Sequence, residues 1–299
     1  MADTLMAIRI WYFFDSRDNF LVLVVVIMYL NQSFMARQHG LVMFTGRIGG
    51  LSFYKMGSGY FVKMAGGPSR ERIMHDASFE RTREGNREFA GAAKAGKALR
   101  MGFAGVLKGM RDRYLTPRLT QAFLRLCALG DGVRGAREIS ISRFGALLDD
   151  LAFDTEKPFD AVFRVPLKVK HDMGRSKVWI DVTAFSPKRV MRLPKGASHF
   201  RLVLAAAAVS DYVYDVDAPG YVPLSPNFNG LGAHACSDLL ALDGTSLSGF
   251  LLETVFSGVP DFPSEVGVVV AVGIEFFQRV DGVDCLLEEG RCMKVLGVV

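Results

Sequence analysis

The chain has 299 residues, half of them hydrophobic, with 36 Lys and Arg against 31 Asp and Glu for a formal net charge of +5. That composition excludes a disordered or fibrous chain and supplies enough apolar mass for one or two globular domains. Its four cysteines, Cys127, Cys236, Cys285 and Cys292, are too few for a disulfide scaffold and form no CxxC pair of the zinc or redox kind.

Charge is unevenly placed along the chain. Residues 35–125 carry 17 Lys and Arg against 6 Asp and Glu, whereas residues 126–299 carry 17 against 22. This asymmetry points either to an anionic partner for the basic part or to attraction between the two parts.

The first distinctive segment is the apolar run 20–30, whose eleven residues fall short of the roughly 20 that a bilayer-spanning helix needs. Asp15 and Asp18 precede it and no small-x-small cleavage site follows, which weakens a signal-peptide reading. Three readings stay open: a native start at Met35 with residues 1–34 as a dispensable extension, a membrane anchor, or a leader or buried strand.

The stretch GRIGGLSFYKMGSGYFVKMAGGPSRERI, residues 46–73, has two aromatic and β-branched runs separated by Gly57, Ser58 and Gly59. It predicts a β-hairpin, because a phosphate cradle places its glycines between a strand and a helix N-terminus, not inside and between strands. Apolar residues then recur at Phe89, Ala92, Gly96, Leu99, Phe103, Val106, Leu107, Met110 and Tyr114, predicting a long amphipathic helix stopped by Thr116 and Pro117. Glycines at 85, 91, 96, 102 and 105 lower helix propensity and point to close packing. Arg87, Lys94, Met101 and Lys108 repeat every seven residues, with Arg83, Lys97 and Arg111 beside that row, so one face is basic. GAAKAGKA at 91–98 imitates a phosphate-binding P-loop, but it has Ala98 where a magnesium-ligating hydroxyl is required, and no strand precedes it.

A second helix is predicted over PRLTQAFLRLCALG, ending at Gly130, followed by a connector. Candidate strands come next at 161–169, 177–184, 198–209, 249–256, 266–280, 283–287 and 292–298, with Asp281 and Gly282 marking a hairpin turn. Cys285 and Cys292 flank LLEEGR, a spacing that leaves open their facing each other across a hairpin. Closely spaced strands without intervening helices favour an antiparallel sandwich. The expected fold is therefore α+β, an N-terminal β-hairpin and long amphipathic helix with a C-terminal antiparallel β-sandwich. Its parts are residues 1–34, a basic hairpin-plus-helix region 35–135 and a β region 136–299.

The run MARQHG…GRIGGLSFYKMGSGYFVKMAGGPSRERI…DASFERTREGNREFAGAAKAGKALR, with GIEFFQRVDG near the C-terminus, resembles a group of uncharacterised proteins from Bacteroidetes bacteria. The resemblance covers residues 35–113 well and the C-terminal strands more loosely. It implies a bacterial or mobile-element setting and a start near Met35, and it supplies no catalytic residue.

No catalytic motif is present. The five histidines, His39, His75, His171, His199 and His234, show no HExxH or i, i+4 pairing, and no GxSxG elbow occurs. Asp149 with Asp150 reads as a solvated loop. Two functions remain, neither requiring a cofactor or metal, in a cytoplasmic protein unless residues 1–34 anchor or export it. The favoured expectation is a non-enzymatic structural or protein-interaction protein that self-associates or binds a protein partner, with Gly91, Gly96, Leu99 and Phe103 as packing or assembly positions. The other is a nucleic-acid-binding protein in which Lys55, Lys63, Arg70, Arg72, Arg83, Arg87, Lys94 and Lys97 contact phosphates while Phe53, Tyr54, Tyr60 and Phe61 offer stacking surfaces. Glu71, Glu80, Glu84 and Glu88 interleave with the arginines as intrahelical pairs would.

Overall fold

In a computed structural model describing residues 35–299 apart from Leu41, Ala65 and Gly244, the glycine-rich stretch folds as strands. The expectations for residues 1–34 lie outside the described residues. Strands β1 (Met35–Arg37), β2 (Gly46–Ile48), β3 (Leu51–Met56) and β4 (Gly59–Met64) form an antiparallel sheet in the order β1-β4-β3-β2. Met56 pairs with Gly59, so the hairpin turn is the two residues Gly57 and Ser58, and Gly57 takes the left-handed φ of 61° that such turns require. A separate helix α1 (Arg70–His75) follows, with the Ser69 hydroxyl accepting the Arg72 amide as its N-cap. Contacts divide the chain into one compact unit up to Asp76 and another over Ala77–Val299, so the basic region expected over 35–135 is shared between two units.

Within the second unit the predicted long helix ends early, at Gly102, and the second helix predicted to end at Gly130 is present. Helix α2 (Glu80–Gly102) ends at the glycine, residues 103–110 turn, and α3 (Leu115–Leu129) begins where a stop was expected. Thr116 and Pro117 fall in the first turn of α3, where proline removes no intrahelical hydrogen bond. The connector contributes a short helix α4 (Ile141–Phe144). Helix α5 (Phe159–Val162) and coil replace most of the strand expected at 161–169, leaving only β5 (Val169–His171).

Strand β6 (Lys177–Val182), short helix α6 (Pro187–Val190) and β7 (His199–Ser210) follow. Next come β8 (Tyr212–Asp215), β9 (Gly220–Pro223), β10 (Gly232–Cys236) and β11 (Leu240–Ala241), none of them expected. Then come β12 (Phe250–Val255), β13 (Val266–Val280) and β14 (Val283–Val298). The predicted pair 283–287 and 292–298 is one bulged strand, so Cys285 and Cys292 lie along β14 opposite Gln278 and Ile274 and do not face each other.

The antiparallel sheet β10-β7-β13-β14, with β11 also on β7, is the centre of this unit. Period-2 alternation sends Leu202, Leu204, Ala206 and Ala208 of β7 to one face and Val203, Ala205, Ala207 and Val209 to the other. The first face packs with the sheet β12-β6-β5 through Val178, Ile180, Val182 and Leu252. The second packs under α2 and α3 through Leu99, Phe103, Leu119 and Phe123. The architecture is α+β, with two antiparallel sheets packed face to face and a helical layer on the outer face of the larger one. Among the described residues, no helix is long and apolar enough to cross a membrane.

Candidate nucleic-acid interface

Residues directly opposite in an antiparallel pair share a face, and the register of the first unit sorts its side chains into two sets. Arg37 lies opposite Phe61, Tyr54 opposite Phe61, and Arg47 and Lys63 opposite Ser52, so Arg37, Arg47, Tyr54, Phe61 and Lys63 share one face. Tyr54 and Phe61 are stacked with ring centroids 6.0 Å apart, and Lys63 Nζ stands 5.8 Å from the Tyr54 ring centre. No strand of this sheet contains a carboxylate. The arrangement offers aromatic surface for a base and cations for its flanking phosphates. Ile48, Leu51, Phe53, Val62 and Met64 lie on the opposite, apolar face.

The eight expected phosphate contacts do not form one surface. Lys55 is on the apolar face, 5.5 Å from the ring of its cross-strand partner Tyr60, which also separates Phe53 and Tyr60 from the stacked pair. Arg70 and Arg72 are on α1, where Arg72 Nε pairs with Asp76 Oδ2 at 3.1 Å. Arg83, Arg87, Lys94 and Lys97 belong to α2 in the other unit. Arg87 lies over Tyr214 at 5.5 Å and Lys94 Nζ donates to the Tyr221 carbonyl at 2.8 Å, so both hold the β8–β9 hairpin. Lys97 is exposed and Arg83 half-buried. Of the eight, only Lys63 stands on the aromatic face, and sequence reasoning missed Arg37 and Arg47. Their signal was positional, one arginine in each of two three-residue strands, too short to show a period of two.

The four packing or assembly positions pack inside the chain. A Cβ on Gly91 would meet the Tyr221 ring at 2.5 Å, and one on Gly96 would touch Leu119 Cβ at 3.5 Å. Leu99 and Phe103 are buried in the core between α2 and the sheet. The glutamates are tertiary anchors as well as helix pairs: Glu84 meets Arg81 at 2.9 Å and Arg134 at 3.6 Å, and Glu88 meets Arg137 at 2.8 Å.

Burial pushes the Cys127 thiol up to about 11, with the nearby Glu88 carboxylate adding to it, and pushes Cys292 up to about 12, so both stay protonated at neutral pH. Among the described residues, no group of three His, Cys, Asp or Glu side chains is placed to hold a metal ion. Comparison with protein-family models, curated proteins and solved structures returns no match for this chain.

Proposed function

We propose that this is a non-catalytic nucleic-acid-binding protein that takes single strands on the aromatic face of its first unit. The observation carrying this reading is the stacked Tyr54–Phe61 pair flanked by Arg37, Arg47 and Lys63 on one carboxylate-free face. Stacking favours unpaired bases, whose π-faces are open, and the cations supply a salt-dependent, sequence-tolerant attraction to phosphates.

A titration of the full chain with a fluorescent oligothymidylate tests it. Tyr54→Ala is expected to weaken binding about tenfold, since one stacked base contributes roughly 1–3 kcal/mol. Lys63→Glu is expected to flatten the dependence of affinity on salt by about one phosphate contact. Affinity unchanged in both variants removes the proposal.

A second reading, a protein-interaction module, draws on the opposite face, where Ile48, Leu51 and Met64 are 60%, 41% and 59% exposed. Light scattering on the same samples distinguishes it: a defined oligomer with no affinity for the oligonucleotide favours this second reading over the first.

A further inference from the structure

After Gly102 the chain turns through residues 103–110, and this turn borders a cleft of about 340 Å³ lined by Arg100, Ala104, Leu107, Lys108 and Arg111. Three of the five lining residues are cationic and none is acidic. The neighbouring Asp112 carboxylate is occupied elsewhere, accepting Arg118 Nη1 at 2.6 Å and the Tyr114 amide at 2.8 Å. Among the described residues, the side chains of Lys108 and Arg111 make no ion pair, and the amides of Lys108, Gly109 and Arg111 donate to no protein group. Three cations thus border one concavity that has no acidic lining residue, which favours an anion there.

One of the three donors is also held in place. Arg100 Nε donates to the Gly96 carbonyl at 3.2 Å and its Nη1 to Thr116 Oγ1 at 3.0 Å, which fixes the guanidinium while leaving Nη2 available. Beneath the turn, the buried Arg291 donates from Nη2 to the Lys108 carbonyl at 2.6 Å and to Glu275 at 3.2 Å. Gly109, at φ 78°, lies so close that a Cβ there would overlap Arg291 Nη1. A buried charge pair thus positions the rim of the cleft, the preorganisation that lowers the ordering cost of binding.

We infer that this cleft is a phosphate site for a ligand of about mononucleotide size, its phosphate held by Arg100, Lys108 and Arg111 and its remainder lying against Ala104 and Leu107. The volume sits at the lower end of small-molecule sites, which span roughly 300–1,000 Å³. The site is in the second unit and stands independently of the Tyr54 face. Its phosphate belongs either to a free nucleotide or to one nucleotide of a strand.

Calorimetric titration of the full chain with AMP, adenosine and oligothymidylate tests this in the wild type, in Lys108→Glu/Arg111→Glu and in Tyr54→Ala. Both reversed residues are exposed, and near-ultraviolet circular dichroism checks the fold; the single Arg111→Ala variant replaces the pair if the pair misfolds. AMP affinity is expected to fall about tenfold or more on charge reversal, the scale of a lost charged hydrogen bond, and to be unaffected by Tyr54→Ala. Oligothymidylate affinity falling in parallel identifies the ligand as one nucleotide of a strand; AMP affinity falling alone identifies a free nucleotide. AMP that does not bind, binds no better than adenosine, or binds the variant as well as the wild type overturns the inference. Loss of the Tyr54 effect on oligothymidylate removes only the sheet-face reading.

Discussion

Glu88 shows how α2 is fastened to the rest of its unit. Only 5% exposed, its carboxylate accepts Arg137 Nε at 2.9 Å, Arg137 Nη2 at 2.8 Å and the Gly135 amide at 2.7 Å. The Arg137 hydrogen bonds outweigh the opposing effect of burial and hold the carboxyl below its usual range. Glu88→Gln leaves the guanidinium facing a neutral amide and is expected to cost about 2 kcal/mol at neutral pH. The folded carboxyl binds its proton less readily than the unfolded one, so its stabilisation is complete above the ordinary carboxylate range and is lost as pH falls through the lowered value. Chemical denaturation should therefore show a constant gap between wild type and variant from neutral pH down to about pH 5, closing below about pH 4. A gap that persists unchanged at pH 3 would mean that packing, not charge, holds this position.

The close approach between α2 and the central sheet depends on small residues from three elements. A Cβ on Gly102 would stand 2.5 Å from Ala207 Cβ in β7, and one on Gly232 in β10 would overlap the Gly102 carbonyl. The obstacle at Gly232 is backbone, which no rotamer change clears. Gly232→Ala is thus expected to destabilise by about 3 kcal/mol, whereas Gly85→Ala, with open space around its Cβ, is expected to stabilise α2 by up to about 1 kcal/mol. Urea unfolding of the two variants checks the contrast; equal midpoints would refute the close-packing account. The same contact explains why the sequence misplaced the helix end. Phe103, Val106, Leu107 and Met110 continue the apolar spacing and are buried, because the turn after Gly102 keeps the same side against the core; periodicity reports burial, not the hydrogen-bond pattern. By contrast, β13 over 266–280 and its turn at Asp281 and Gly282 were legible, since a long apolar run ending in a hairpin dipeptide admits few structures. The short strands β8 to β11 have too few residues to show alternation. The stacking aromatics and their division between two faces follow from strand alternation in the β3–β4 hairpin, whereas the placing of Arg37 and Arg47 beside Tyr54 and Phe61 depends on pairing with β1 and β2, which is tertiary information.

At the scale of the whole chain, apolar burial among the described residues is concentrated in the second unit. Both hydrophobic clusters lie between Ala92 and Val299, whereas Gly59 is the only buried one among the described residues of 35–76. The second unit thus carries a core of its own. A chain beginning at Ala77 is therefore expected to unfold cooperatively and to keep the near-ultraviolet signal of its buried aromatics. The same chain should lose oligonucleotide binding that depends on Tyr54, and it should retain AMP binding at the Arg100–Lys108–Arg111 cleft, because the groups that position that cleft, Thr116, Glu275 and Arg291, all lie beyond residue 77. Near-ultraviolet circular dichroism, scanning calorimetry and titration with both probes measure all four properties on one preparation. A broad, non-cooperative transition would show that residues before Ala77 complete the second core, and a folded fragment that still binds oligothymidylate with full affinity would move the strand-binding surface from the sheet to the helical layer.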